Sequence, residues 1–220
     1  MVDYDIHNPA DVNRRKESWF TAFGLQAADN LAPSVYIAQQ ARASILDAKS
    51  YDIIERETQQ HYEGSTSRQA EADLSSVRIA QILETDTFTL SIGSIRAIHK
   101  RIFSDIPGFE YPAGEFRDVN LSKPELVLDN KSVSYSDFRD IEATLIYDFD
   151  TQRRMDYANM SKQEVAHHIV NFASGIWQVH PFREGNTRTT ATFMIQYLRA
   201  SGFEIDNTPF YENSKQFRDC

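Results

Sequence analysis

One segment of the 220-residue chain, His180-Pro181-Phe182-Arg183-Glu184-Gly185-Asn186-Thr187-Arg188, gathers the residue types that phosphate chemistry needs. His180 can take a proton from an attacking hydroxyl near neutral pH. Glu184 alone would repel a phosphate. With Mg²⁺ between them it becomes a ligand, because Mg²⁺ is usually held by one or two carboxylates plus substrate phosphates. Gly185 and Asn186 suit a tight turn whose backbone N–H groups form an anion nest. Arg188 adds a fixed charge with forked donors matched to phosphate. Singly, His-Pro reads as a turn and Gly-Asn as a helix cap. The ordered set reads as a phosphoryl- or nucleotidyl-transfer site.

Two helices must hold this loop. Ser161-Lys162-Gln163-Glu164 is a capping box, and Val165, Ile169, Phe172 and Ile176 then form one apolar stripe that runs into Trp177-Gln178-Val179. A second helix is predicted from about Thr187 to Ala200, with Ala191, Met194, Ile195 and Leu198 inward and Gly202 as its stop. Its free N–H groups and positive dipole end face the loop. Upstream, Ile92, Ile95, Ile98 and Ile102 predict a helix capped by Thr89 that ends before Pro107-Gly108. Phe138, Ile141, Leu145 and Phe149 predict another, capped by Ser136. Between these two, Leu126-Val127-Leu128, Asp129-Asn130 and Ser132 to Tyr135 read as a short β-hairpin that must lean on helices. Trp19 to Leu83 reads as helix, broken at Leu31-Ala32-Pro33-Ser34, with Ser34 capping a helix through Ile45. A polar stretch, Glu63 to Ser67, closes that region.

Composition bounds the rest. A net charge of −9 argues against a general nucleic-acid binder, which needs a basic surface. The single cysteine, Cys220, excludes an intramolecular disulfide and fits a reducing compartment. No apolar run has the length of a signal peptide or of a membrane span. His167 and His168 lack the i, i+4 spacing of paired metal ligands, and His61 and His99 are isolated; all four read as structural or surface. Arg153-Arg154 reads as a solvated pair, and the aromatics as helix packing.

The 180–188 segment resembles the signature of the Fic/Doc family, His-Pro-Phe-x-(Asp/Glu)-Gly-Asn-Gly-Arg-x-x-Arg, and matches it at His180, Pro181, Phe182, Glu184, Gly185, Asn186 and Arg188. Ile98-His99 through Ala113-Gly114-Glu115-Phe116-Arg117 resembles the stretch before that family's flap, and Lys123 to Tyr135 resembles the flap. The likeness covers roughly residues 85 to 220. It implies an all-α Fic-fold core, residues 71–220, with a short β-hairpin flap, behind an N-terminal helical region, residues 1–70.

The resemblance further implies a protein adenylyltransferase with ATP as substrate and Mg²⁺ as cofactor. His180 would deprotonate a target Tyr, Ser or Thr hydroxyl, Glu184 would hold Mg²⁺, and Phe182, Gly185, Asn186, Thr187 and Arg188 would line the ATP and phosphate site. Lys123, Leu126, Val127, Leu128 and Val133 would form the flap on which a target segment docks by strand addition. A bacterial, cytoplasmic protein is implied, a toxin among the options, with secretion as an effector left open. The family commonly continues beyond the point where this chain stops, so a shortened form is expected.

Two departures bear on the donor. Thr187 stands where the family has glycine, and Ala191 where it has the arginine that contacts the γ-phosphate and an inhibitory glutamate. Transfer of another phosphate-bearing group, as in the Doc branch, and a non-catalytic regulatory fold therefore stay open. The family's inhibitory helix carries (Ser/Thr)-x-x-x-Glu-(Gly/Asn). Leu25 to Asn30, with Asp29-Asn30, and Gln59 to Gly64, with Glu63-Gly64, approach that pattern, so residues 14–64 are expected to act as a degenerate inhibitory module. The competing reading is that both sites are ordinary helix exits.

Overall fold

The structure, a computed structural model, describes residues 9–124 and 132–209. The fold is all-α. In chain order the helices are α1 (Pro9–Ala28), α2 (Val35–Ile45), α3 (Tyr51–His61), α4 (Arg68–Glu84), α5 (Ile92–Phe103), α6 (Ile141–Arg153), α7 (Lys162–Val179) and α8 (Asn186–Ala200). Between α5 and α6 two short strands, β1 (Ser122–Pro124) and β2 (Ser132–Ser134), pair antiparallel. Ser122 lies opposite Ser134, Lys123 opposite Val133 and Pro124 opposite Ser132. Leu126-Val127-Leu128 and the Asp129-Asn130 turn lie outside the described residues.

α4 and α8 form the interior. Every residue of α8 from Asn186 to Tyr197 is buried, as is every residue of α4 from Ala70 to Ala80. A helix buried on all sides must satisfy its polar groups internally. The Ser75 and Ser76 hydroxyls therefore bond back to the carbonyls of Glu71 and Ala72. Small residues along α4 (Ala70, Ala72, Ser75, Ser76, Ala80) let α1 lie close against it, and α1 also touches α8. Trp19, Ala22 and Leu25 of α1 are fully enclosed, and each large side chain so buried contributes roughly 1.5–3 kcal/mol.

Local signals set most helix ends. The Ser34 hydroxyl accepts from the Ile37 N–H to start α2, and the Ser161–Glu164 capping box starts α7. α8 ends in a Schellman turn: Gly202, at φ 83°, donates to Arg199 O, and Phe203 N donates to Leu198 O. Two expected caps are displaced. Ser91, not Thr89, caps α5, because its hydroxyl accepts from Ser94 N while the Thr89 carbonyl accepts the Ser94 hydroxyl. Ser136 does not cap α6. Its N–H donates to Gln178 O, and Asp137 caps a 3-10 turn, Phe138–Asp140, that leads into α6.

Candidate active site

α7 ends at Val179, and His180 follows as its C-cap in the left-handed region, φ 48° and ψ 62°. A side chain other than glycine held there costs about 1–2 kcal/mol, so the surroundings must impose it. His180 is 5% exposed, and its ring stacks on Tyr135, centroids 3.9 Å apart at 15°. Behind it, the buried Arg117 guanidinium donates to the carbonyls of Val179 (3.1 Å) and His180 (2.8 Å), and Arg117 N donates to Pro181 O (2.8 Å). Burial pushes the Arg117 pKa below its ordinary value, against the opposing charge of Asp137.

The loop from 181 to 186 closes on itself. The Asn186 side chain accepts from Phe182 N at 2.9 Å and donates to Phe182 O at 2.8 Å. Phe182 points inward and stacks on His99 at 3.8 Å. His99 is buried and structural, as its isolation suggested. Its Nδ1 accepts from Gly114 N at 2.8 Å, which leaves Nε2 as the donor to Glu184 O at 3.1 Å. Desolvation lowers the His99 pKa to about 4, helped by the Arg188 charge and opposed by the bond to the Glu184 carbonyl, so the ring is neutral at pH 7.

Gly185 caps α8 at φ 75°, and a Cβ there would lie 2.4 Å from two ring carbons of Phe103. Both the backbone conformation and the close approach require glycine. Thr187 is buried in the first turn of α8, whose leading N–H groups have no intrahelical acceptor. Glu184 is half-buried, and its Oε1 accepts from Gly185 N at 3.3 Å, which sets the carboxylate against that helix entry. Among the described residues no three of His, Cys, Asp and Glu gather as a metal cage. A single carboxylate fits Mg²⁺ only if substrate oxygens complete the shell. Arg183 points outward and pairs with Asp118 at 2.5 Å.

Arg188 takes a place the sequence did not signal. Its side chain is 0% exposed and directed under α1 and α4. Nε lies 2.7 Å from Asp29 Oδ2, as an ion pair rather than an aligned hydrogen bond, and one terminal nitrogen lies 2.7 Å from Glu71 Oε1. The other terminal nitrogen is 3.3 Å from Gln26 Oε1 and from the Ser75 hydroxyl, and the plane lies over Phe103 at 4.7 Å. Asp29-Asn30 is indeed a helix exit: Asn30 is left-handed, and Asn30 N and Leu31 N donate to Ala27 O and Gln26 O. That exit also aims Asp29 at Arg188. Glu63 and Gly64 are exposed at the end of α3. Ala191 is wholly buried.

Lys123 and Val133 face each other across the ladder; Leu126, Val127 and Leu128 fall outside the described residues. Glu71, Gln26, Arg117 and Tyr135 were not recognised as site residues. Arg117 lies in the stretch before the flap, Tyr135 at the end of the flap-like stretch and Gln26 within Leu25 to Asn30, whereas Glu71 carried no local signal.

The chain matches the model of the Fic/DOC family over residues 89–198. It is 29% identical over 131 residues to the probable protein adenylyltransferase y4lH of Sinorhizobium fredii, covering 60% of this chain and 63% of that protein. It is 27% identical over 112 residues to the protein adenylyltransferase VbhT of Bartonella schoenbuchensis, covering 51% of this chain and 22% of that protein. The matches thus span less than two thirds of either relative. Among the described residues no helix is long and apolar enough to cross a membrane. The family match takes in half of the chain, including α5, both strands and the entire loop between α7 and α8, and the chain belongs to the Fic/DOC family.

Proposed function

We propose that this chain is a protein adenylyltransferase that moves AMP from ATP onto a Tyr, Ser or Thr hydroxyl of a target protein. The observation that carries the reading is the loop itself: it joins His180, at the end of α7, to Glu184, beside the entry of α8, whose leading N–H groups have no intrahelical acceptor. His180 takes the hydroxyl proton. The oxygen attacks the α-phosphorus, the bond from that phosphorus to the bridging oxygen breaks, and pyrophosphate leaves. Glu184 would hold Mg²⁺ together with phosphate oxygens, and the metal would neutralise charge on them. Gly185, Asn186 and Thr187 shape the N–H nest. Both relatives bear the name protein adenylyltransferase, which supports the same activity here.

The N-terminal region is read as a restraint. In the described conformation Arg188 reaches a phosphate only if Asp29 and Glu71 release it. A second donor chemistry keeps support from Ala191, which offers no charge to a γ-phosphate. The test is incubation with Mg²⁺ and ATP labelled at the α- or the γ-phosphate, beside His180→Ala, with a lysate as target source. Label from the α position that disappears in His180→Ala is the expected result. Label from γ alone favours phosphoryl transfer, and no label from either position defeats both transferase readings.

A further inference from the structure

The last turn of a helix leaves carbonyls without intrahelical donors. At the end of α7 and in the two residues just past it, the four successive carbonyls of residues 178 to 181 receive donors from the two stems of the hairpin. Gln178 O accepts from Ser136 N, Val179 O and His180 O from the Arg117 guanidinium, and Pro181 O from Arg117 N. The same guanidinium also donates to Val119 O, on the approach to β1, and to Ser136 O, on the exit from β2. All four of its side-chain bonds thus run to backbone carbonyls, two on the helix end and two on the hairpin stems. Gln178 adds a tie from its side-chain amide to Ser134 O. A lysine, with one point charge and no planar fork, cannot make this set of bonds. A positive charge at a helix C-terminus is also favoured by the dipole.

We infer that Arg117 is a positioning residue that locks the hairpin stems to the left-handed His180 backbone, so that Tyr135 covers the His180 ring in a fixed register. The inference rests on the transferase reading for its catalytic meaning: the strand pair that would present a target hydroxyl and the base that would deprotonate it are held by one side chain. The juxtaposition itself is independent of which group is transferred.

The test reads the two rings separately. The imidazole proton resonance of His180, assigned by its loss in His180→Ala, carries the ring-current shift of the stacked Tyr135; Tyr135→Leu gives its position without that ring. His99, stacked on Phe182 and bonded to Gly114 and Glu184, serves as an internal monitor of the loop. In Arg117→Lys the His180 resonance is expected to move to its Tyr135→Leu position while His99 stays in place. An unmoved His180 resonance overturns the inference. So does movement of both resonances together, which would make Arg117 a general strut; Arg117→Gln repeats the comparison should the lysine variant fold poorly. With transferase activity in hand, Arg117→Lys is expected to lower the transfer rate at saturating ATP at least tenfold, with ATP affinity changed less than twofold. An equal loss of ATP binding counts against a positioning role. If the unaltered protein transfers no label, the proposed function fails and the resonance test still decides the coupling.

Discussion

Three residues of the site have roles that a single substitution can separate. Gly185 meets two demands at once, a φ of 75° and the Phe103 ring 2.4 Å from where a Cβ would be. Gly185→Ala is expected to lose about 2 kcal/mol or more, from the left-handed penalty plus the clash; urea unfolding reads it. His99 gives a pH signature. Its folded pKa of about 4 lies below the ordinary value near 6.5, so the unfolded chain binds the extra proton first. Its contribution is complete above about pH 6.5 and declines as pH falls toward about 4, by on the order of 3 kcal/mol in all. His99→Gln is expected to flatten the stability profile over that window; an unchanged slope would assign the acid sensitivity to other groups. Arg188→Ala strands two carboxylates beside the core and is expected to cost about 3–5 kcal/mol. That variant reports on folding before it reports on phosphate binding, so His180→Ala is the cleaner test of chemistry.

At the scale of elements, the contact between α8 and the pair α1–α4 is where regulation would act. Asp29→Asn and Glu71→Gln each keep shape and remove one charge from the Arg188 cluster. Glu71 makes a charge-assisted hydrogen bond to Arg188, which contributes about 1.5–3 kcal/mol, and Asp29 a buried ion pair, so either change is expected to raise the rate of AMP incorporation about tenfold and to lower thermal stability. A fall in rate alongside the fall in stability would mean that the cluster is purely structural. The sequence showed some of these elements and hid others for a physical reason. The capping box of α7, the Ser34 cap and the Gly202 stop are encoded within a few residues, and all three stand as expected. Arg188 and Glu71 are 117 residues apart, and Arg117 and His180 are 63 apart; no local pattern records such pairs. The Thr89 and Ser136 caps were misplaced because neighbouring serine and aspartate offered equal chemistry, and tertiary partners chose between them.

At the scale of the whole molecule, α1 is part of the core rather than an appendage. Trp19 and Leu25 are sealed within it, so removing the N-terminal residues would open the interior instead of simply releasing an inhibitor. Trp19→Ala is expected to cost about 3–5 kcal/mol and to shift a single calorimetric transition that includes α8. Two separate transitions would instead make α1 an independently melting piece. The family match begins at residue 89, after α4, so both carboxylates that hold Arg188 come from outside it.

The complete enclosure of Arg188 also makes it countable. A guanidinium with no exposed surface reacts with an arginine-selective dicarbonyl reagent only in molecules that have opened. Its labelling rate, followed by mass spectrometry, therefore measures the fraction of molecules open at any moment. If that arginine is needed for donor binding, the same fraction scales the apparent affinity for the nucleotide. A ligand or partner that opens the contact would then be recognised by faster labelling at this one position, without any knowledge of a target protein.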